Sequence, residues 1–363
     1  MAVAWIGNRE TLLERAVRHA AALLHSSRCP VFSFDTDIHG TRAAIALAER
    51  VGASYDHANG AGLVRETALL TDGGGMFVAP GEVRRRADVV VIVGALPEIH
   101  RGFVKELAET VPDLTATNVR EFFFIGNGKV PTLPLNGRKT TTRLACGKAS
   151  LGATLAALRA QCKGRQVSAP VSKFARFQHA LADARFLVFL LSGDASDTLA
   201  LEMLQGLLAD LNRKSRASAL HLPASESGWG STLASTWMTG FPLRTGFARG
   251  FPEYDPWRFD AARQVAAGEA DLHLWITEDA KKPIADGSTA KQIVLTKTAR
   301  PVAHAEVTFA IGKAGVDHDA VAYSARIGSL ASVRAKAVSD LPSAAAVIRS
   351  IAEHIPAGAT LPC

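Results

Sequence analysis

The run Asp88–Val93, DVVVIV, constrains the fold more than any other stretch of the chain. Six residues dominated by a β-branched aliphatic, with no alternating polar position, cannot form a strand that keeps one face in water. Such a strand needs apolar layers on both sides. Arg185–Leu191, RFLVFLL, repeats the signal. Around these runs the apolar period becomes helical over Thr11–Leu24, Thr41–Val51, Phe103–Thr110, Ala149–Gln161, Ser172–Ala182, Ser196–Leu211, Arg258–Ala267 and Ser343–His354. Further strands are expected at Pro30–Phe34, Ala53–Asp56, Leu114–Asn118, Glu121–Ile125, Ala217–Leu222, Leu272–Thr277, Gln292–Thr296, Ala305–Ile311 and Ala320–Ser324. This alternation predicts an α/β protein with parallel sheets covered by helices on both faces. At 363 residues the chain is long enough for two domains.

Ligands of such sheets bind beyond the carboxyl ends of the strands. The loops expected there are Asp35–Gly40, Gly94–Arg101, Ser192–Asp194 and the long stretch Glu226–Asp260. The last holds Trp229, Trp237 and Trp257, five glycines, and Pro242, Pro252 and Pro256. That density of Gly and Pro predicts a loop, with neither a continuous helix nor a central strand. Its aromatic content is too high for a flexible linker, so the loop is expected to be packed and functional, or held by a partner.

Hydrophobic residues at 48% and charged residues at 21% exclude a disordered chain. No apolar run reaches the ~18 residues that cross a bilayer. Arg9, Glu10, Glu14, Arg15 and Arg18 interrupt the apolar pattern of the N-terminus, which reads as an amphipathic helix of a cytoplasmic protein and not as a signal peptide. Cys29, Cys146, Cys162 and Cys363 form no CxxC pair and have no His at zinc spacing, so no metal site or disulfide framework is expected. A net charge of +7 favours an anionic partner. Arg84–Arg86 and Asn212–Arg216 are the densest basic clusters, and no nucleic-acid-binding motif accompanies them.

Short motifs are weak. Gly73–Gly75 and Gly126–Lys129 complete no nucleotide loop and read as turns. Asp35, Asp37 and His39 follow a strand and could hold a hard cation, or serve as turn formers and caps; Asp56 and His57 pose the same choice. Ser192-Gly193-Asp194 lacks the GxSxG elbow, and His179 and His221 read as structural histidines. No catalytic residue is nominated by spacing.

Thr236–Pro256, TWMTGFPLRTGFARGFPEYDP, resembles a stretch of the B subunits of formylmethanofuran dehydrogenases, a W-x-TG-x-P…F-x-RG-x-P-x-Y-x-P pattern matched by Trp237, Thr239, Gly240, Pro242, Phe247, Arg249, Gly250, Pro252, Tyr254 and Pro256. Gly81–Pro97 is similar to the family's GEV…RADVVV segment, and Thr41–Asp56 with Val316–Tyr323 match more weakly. The resemblance implies two doubly wound αβα domains of molybdopterin-oxidoreductase type, the second inserted in the first. It would place an N-terminal helix at 1–29, a discontinuous domain at 30–135 plus 260–354, and the inserted domain at 140–259.

The family's redox members carry an N-terminal cysteine cluster and a Cys or selenocysteine metal ligand shortly before the GEV segment. No cysteine precedes Cys29, and none lies in Asp56–Pro80. Iron–sulfur and soft-metal chemistry need those thiolates. The chain is therefore most similar to the redox-silent branch, the B subunits of bacterial formyltransferase/hydrolase complexes in one-carbon metabolism. That resemblance implies a non-catalytic structural subunit without molybdenum, tungsten or an iron–sulfur cluster. Its partners would be an amidohydrolase-like formyl hydrolase, a formyltransferase and a further C subunit, with no nucleic acid and no membrane. It also implies an anionic methanofuran-type carrier with a glutamate tail, for which Arg101, Arg244 and Arg249 are the expected contacts. The alternative is an active formylmethanofuran dehydrogenase B subunit that holds a molybdopterin-type cofactor, with Asp35 or His39 on the metal.

Overall fold

The computed structural model describes residues 3–58, 60–115, 119–134, 141–277 and 288–356. It is a mixed α/β structure of two compact units. Unit 1 comprises Met1–Gly60, Ser225–Tyr323 and Leu330–Cys363; unit 2 comprises Ala61–Ala224 with Ser324–Ser329.

Unit 2 is built on an all-parallel five-stranded sheet in the order Thr142–Leu144, Glu121–Ile125, Val89–Val93, Leu187–Leu191, Ala217–His221. The valine run is its central strand, and the period of two explains the composition. Val89, Val91 and Val93 join Phe123, Phe189 and the leucines of helices Leu151–Cys162 and Thr198–Leu211 in one core. Val90 and Ile92 join Phe122, Phe124, Val188 and the apolar stripe of helix Arg101–Glu109 in a second core. Every residue of the strand is buried because each face has its own layer.

Two buried charges fasten the amino end of this sheet. The Asp88 carboxylate accepts the backbone N–H groups of Arg185 at 2.7 Å and Phe186 at 3.0 Å, tying two neighbouring strands at their entry. The Arg120 guanidinium donates to the carbonyls of Ala87, Arg84, Leu107 and Thr110, which close helices Pro80–Arg86 and Arg101–Glu109. Burial pushes its pKa down to about 10.

Unit 1 carries a nine-stranded sheet. Its parallel centre runs Ser54–His57, Pro30–Phe34, Leu272–Thr277, Lys291–Thr296, Val307–Ala310. Antiparallel margins close both sides: Thr245–Gly246 and Glu253–Tyr254 beyond Ser54–His57, and Ala4–Ile6 and Arg9–Glu10 beyond Val307–Ala310.

Three expectations are corrected. The first 29 residues are not a separate helix. Ala4–Ile6 and Arg9–Glu10 form a hairpin through Gly7 (φ +55°), and the helix starts only at Leu13. Gly-Asn between two short extended runs is a hairpin signal, outweighed in the sequence reading by the helical period that follows. Leu114 and Thr115 lie outside any strand, and the rest of the strand expected there, 116–118, falls outside the described residues. The stretch Glu226–Asp260 opens with a 14-residue helix, Glu226–Thr239. Ser225 caps its start by accepting from the Gly228 amide, and Gly240 ends it at φ +82°. Two of the five glycines that argued against a helix, Gly228 and Gly230, lie on its buried side. Gly228, Gly230, Ser231 and Ala234 are buried, and a Cβ at Gly230 would stand 3.0 Å from Ile38 of helix Ile38–Val51. The three prolines all follow the cap, where the chain is irregular.

The compact units are also drawn differently from the ranges expected. Residues 61–134 lie with 141–224, because Val89–Val93 is hydrogen-bonded between Glu121–Ile125 and Leu187–Leu191 in one sheet. Among the described residues no helix is long and apolar enough to cross a membrane.

Candidate functional site

In unit 1, Asp35 and His57 stand at the carboxyl ends of two adjacent parallel strands. Helix Glu226–Thr239 brings Ser227 to them. The Ser227 hydroxyl donates to Asp35 Oδ1 at 2.5 Å, His57 Nε2 lies 3.3 Å from the same hydroxyl, and Nε2 is 3.6 Å from Asp35 Oδ1. Ser225 Oγ sits 2.7 Å from Ser227 Oγ. Burial pushes the Asp35 carboxyl up, but the His57 ring, the Ser227 hydroxyl and the Lys313 charge together outweigh it and hold the group below its ordinary range. Asp, His and Ser form a closed triangle on one imidazole nitrogen.

The Asp35, Asp37, His39 grouping does not converge. Asp37 caps helix Ile38–Val51 by accepting from the Gly40 amide at 2.9 Å, and His39 is exposed on that helix. Among the described residues no three His, Cys, Asp or Glu side chains are placed to hold a metal ion.

Beside this cluster lies a second one that sequence reasoning did not connect. Arg244 spans Asp56 (Nε–Oδ2 3.1 Å), Asp260 (NH2–Oδ2 2.8 Å) and the Pro256 carbonyl (2.5 Å). Its backbone is in the left-handed region, φ +70°, and its side chain is only 12% exposed. Burial drives the Asp56 carboxyl above its ordinary range, and the Arg244 charge and the His57 amide offset only part of that shift. Arg244 is thus a clamp between segments 35 to 57 and 242 to 260, not a cation presented to solvent. Arg249 is 65% exposed and paired with Glu253 while lying over the Phe251 ring. Arg101 belongs to unit 2, where it is 79% exposed and paired with Glu98 at 2.9 Å.

At the carboxyl end of the unit 2 sheet, Gly193 donates its amide to the buried Glu66, and Arg65 donates to the Gly193 carbonyl at 2.8 Å. His221 Nδ1 is 3.1 Å from Glu66 Oε2, with Phe77 against the ring at 5.0 Å. Asp194 accepts from the Ala224 amide at 3.1 Å and from Ser192 at 3.4 Å. No room is left for a side chain: a Cβ on Gly193 would collide with the Gly62 carbonyl. The Ser-Gly-Asp turn is a packed strand exit, and His221 is buried beside Glu66. His179 is exposed and pairs with Asp183 at 3.5 Å. Glu66 was missed. Its signal was a carboxylate between Leu63 and Thr67 on the buried side of helix Ala61–Gly73. Gly73–Gly75 ends that helix, and Gly126 (φ +134°) turns the chain after Glu121–Ile125.

No protein-family model matches the chain. It is 33% identical over 362 residues to the B subunit of the formyltransferase/hydrolase complex Fhc of Methylorubrum extorquens, covering 97% of this chain and 98% of that protein. It is 25% identical over 298 residues to the B subunit of the tungsten-containing formylmethanofuran dehydrogenase 2 of Methanocaldococcus jannaschii, covering 73% of this chain and 64% of that one. Its structure superposes with TM-score 0.85 and 32% identity on a chain of the M. extorquens complex FhcABCD solved with methylofuran, over 96% of this chain and 98% of that one. End-to-end identity above 30%, with the fold carried along, makes this chain a member of the family of Fhc B subunits.

Proposed function

We propose that this chain is the structural B subunit of a formyltransferase/hydrolase complex, assembling with hydrolase, transferase and C subunits and acting on no substrate by itself. The observation that carries the reading is the alignment from end to end with a chain of FhcABCD, set beside a sequence with no cysteine in Asp56–Pro80 and none before Cys29. We read the two units as doubly wound domains of molybdopterin-oxidoreductase type, unit 2 entering unit 1 after Gly60, and place the complex in the cytoplasm. The polar groups at the strand ends support a site no longer dedicated to chemistry. Asp35, Asp56, His57 and Arg244 satisfy one another, where a metal-binding or acid–base site would aim them at a ligand.

Contact with a methylofuran-type carrier falls on exposed cations. Of the three arginines expected for it, Arg101 and Arg249 are exposed, and each already has a carboxylate neighbour with which a glutamate tail must compete.

Co-expression with candidate partner subunits, purification through a tag on this chain and native mass spectrometry test the proposal. The expected result is a stable hetero-oligomer retaining the carrier, with no tungsten, molybdenum or iron stoichiometric with this chain. Purification of the chain alone, or a stoichiometric redox metal on it, refutes the reading; the metal result would favour the active dehydrogenase instead.

A further inference from the structure

Beyond its edge strand Ala217–His221, the unit 2 sheet is extended by a single parallel bridge, Phe77 opposite Ala219. The Ala219 amide donates to the Met76 carbonyl at 2.7 Å, and the Val78 amide donates to the Ala219 carbonyl at 3.1 Å. In an extended chain the N–H and C=O of one residue point to one side and those of the next to the other. The Met76 carbonyl and the Val78 amide face the sheet, so the Phe77 amide and carbonyl face away from it. Among the described residues neither Phe77 group has a backbone partner.

Open edges invite pairing with another chain, and proteins commonly blunt them with a charge, a proline or a bulge. Met76, Phe77 and Val78 carry none of these. Met76 is instead 49% exposed and Phe77 45%. Gly74, at φ +66°, turns the chain out of helix Ala61–Gly73, and its amide donates to the Leu70 carbonyl at 3.0 Å. The competing explanation is that the edge is too short to need protection. The surface next to it argues otherwise.

A cavity of about 430 Å³ opens beside Met76, with Leu69 and Leu208 in its walls and Asp72, Glu202 and Gln205 among its polar groups. That volume is in the range of ligand pockets. Asp72 and Glu202 are exposed, and among the described residues neither makes an ion pair. No lysine or arginine lines the cavity. The last turn of helix Ala61–Gly73 also lines it and adds roughly half a negative charge. In a chain of net charge +7 this is a locally negative site. Apolar walls beside two carboxylates match an aliphatic stem that ends in a cation: the methylenes are buried and the head meets charged acceptors.

We propose that this edge receives an extended segment of a partner subunit, which pairs with the Phe77 backbone and sets a lysine or arginine side chain in the adjoining cavity. Main-chain bonds then give affinity and the cavity gives specificity, as in other cases of strand addition. A free organic cation would fill the cavity and leave the Phe77 groups bare. An acidic segment would pair with Phe77 and be repelled by Asp72 and Glu202. A basic extended segment answers both features. That it comes from another subunit rests on the assembly proposed above; the open edge and its acidic cavity do not.

The test combines hydrogen exchange over Gly73–Val78 with native mass spectrometry of the co-expressed assembly. The Phe77 amide should exchange at least about tenfold more slowly in the wild-type assembly than in the D72K/E202K variant, whose reversed charges repel the basic side chain. Phe77→Pro removes the outward N–H without breaking a bond inside the chain, whereas Phe77→Ala keeps that N–H and removes the ring. The proline variant should release one subunit on dilution about tenfold more readily than wild type, and the alanine variant far less so. If a melt shows the proline variant unfolded, D72K/E202K decides, since both its positions are exposed. Free exchange of the Phe77 amide in the wild-type assembly, or equal exchange in D72K/E202K, overturns the edge; native masses that still show every subunit then leave the assembly reading intact. Protection by a second copy of this chain overturns the choice of partner. Absence of any partner mass sinks both.

Discussion

Replacing Arg244 by methionine should unbalance unit 1 more than any other single change near its strand ends. The substitution removes the partner of Asp56, 3.1 Å away and buried, the partner of Asp260, 2.8 Å away, and the donor to the Pro256 carbonyl. Breaking a buried pair by deleting one member leaves an uncompensated charge and costs about 3–5 kcal/mol. For a unit of this size that is a drop in melting temperature of roughly 6–20 °C, at about 2–4 °C per kcal/mol. The loss should depend on pH with a definite sign. Burial already raises the Asp56 pKa in the folded protein, so protons favour the native state. Removing Arg244 raises it further. Below the ordinary carboxylate range Asp56 is neutral in both proteins and the ionic part of the deficit vanishes. As the pH climbs through the raised folded value, the deficit grows to its full size. Thermal melts of both proteins at about pH 3.5 and about pH 8 measure the gap. The double variant R244M/D56N should recover much of it, because the orphaned charge is gone. A melting shift below about 2 °C at the higher pH, or a gap that is independent of pH, would refute the assignment of Arg244 as a buried clamp.

Three further outcomes follow from other contacts. Arg120→Met should cost about 2–4 kcal/mol in urea unfolding, because the carbonyls ending two helices lose their donor; a cost under about 0.5 kcal/mol would mean water replaces the guanidinium. Ser227→Ala removes one of the groups that hold the Asp35 carboxyl low, so it should lose about 1–2 kcal/mol near neutral pH. A depressed carboxylate stabilises above its unfolded pKa and loses that contribution as pH falls through the folded one, so this deficit should shrink below about pH 4; a deficit that persists there points to packing alone. Gly193→Ala should destabilise unit 2 by about 1–3 kcal/mol, since the new methyl runs into the Gly62 carbonyl, a backbone group that cannot swing aside; hydrogen exchange of the Glu66-bound amide reports it, and wild-type protection in the variant argues against the clash.

Much of the fold could be read from local pattern because local pattern causes it. Pro30–Phe34, Glu121–Ile125, Leu272–Thr277 and Ala320–Ser324 are strands with the expected bounds. In the first three, short-range β-branched and aromatic content coincides with burial, whereas Ala320–Ser324 is only partly buried. What failed were features decided by distant partners. The unit to which Val89–Val93 belongs depends on Leu187–Leu191, nearly a hundred residues away, and no periodicity records that pairing. The helix Glu226–Thr239 reads as a loop when glycine is scored by intrinsic propensity, at about 1 kcal/mol against alanine. Against helix Ile38–Val51 those glycines permit a close approach, with Thr41 and Ser231 sharing a hydrogen bond at 3.0 Å.

The site was legible in its residues but not in its geometry. Asp35, Asp56, His57, Arg244 and Asp260 were all visible as polar residues at strand exits or in the glycine-rich stretch. Their chemistry depends on who faces whom, and that is set by the register of Ser54–His57 against both Pro30–Phe34 and Thr245–Gly246. Thr245 stands opposite Tyr55, so Arg244 is delivered to Asp56, the next residue along that strand. A cation expected to greet an anionic carrier is spent inside the fold. Only the pairing of each cation inside the fold separates a clamp such as Arg244 from an exposed charge such as Arg249.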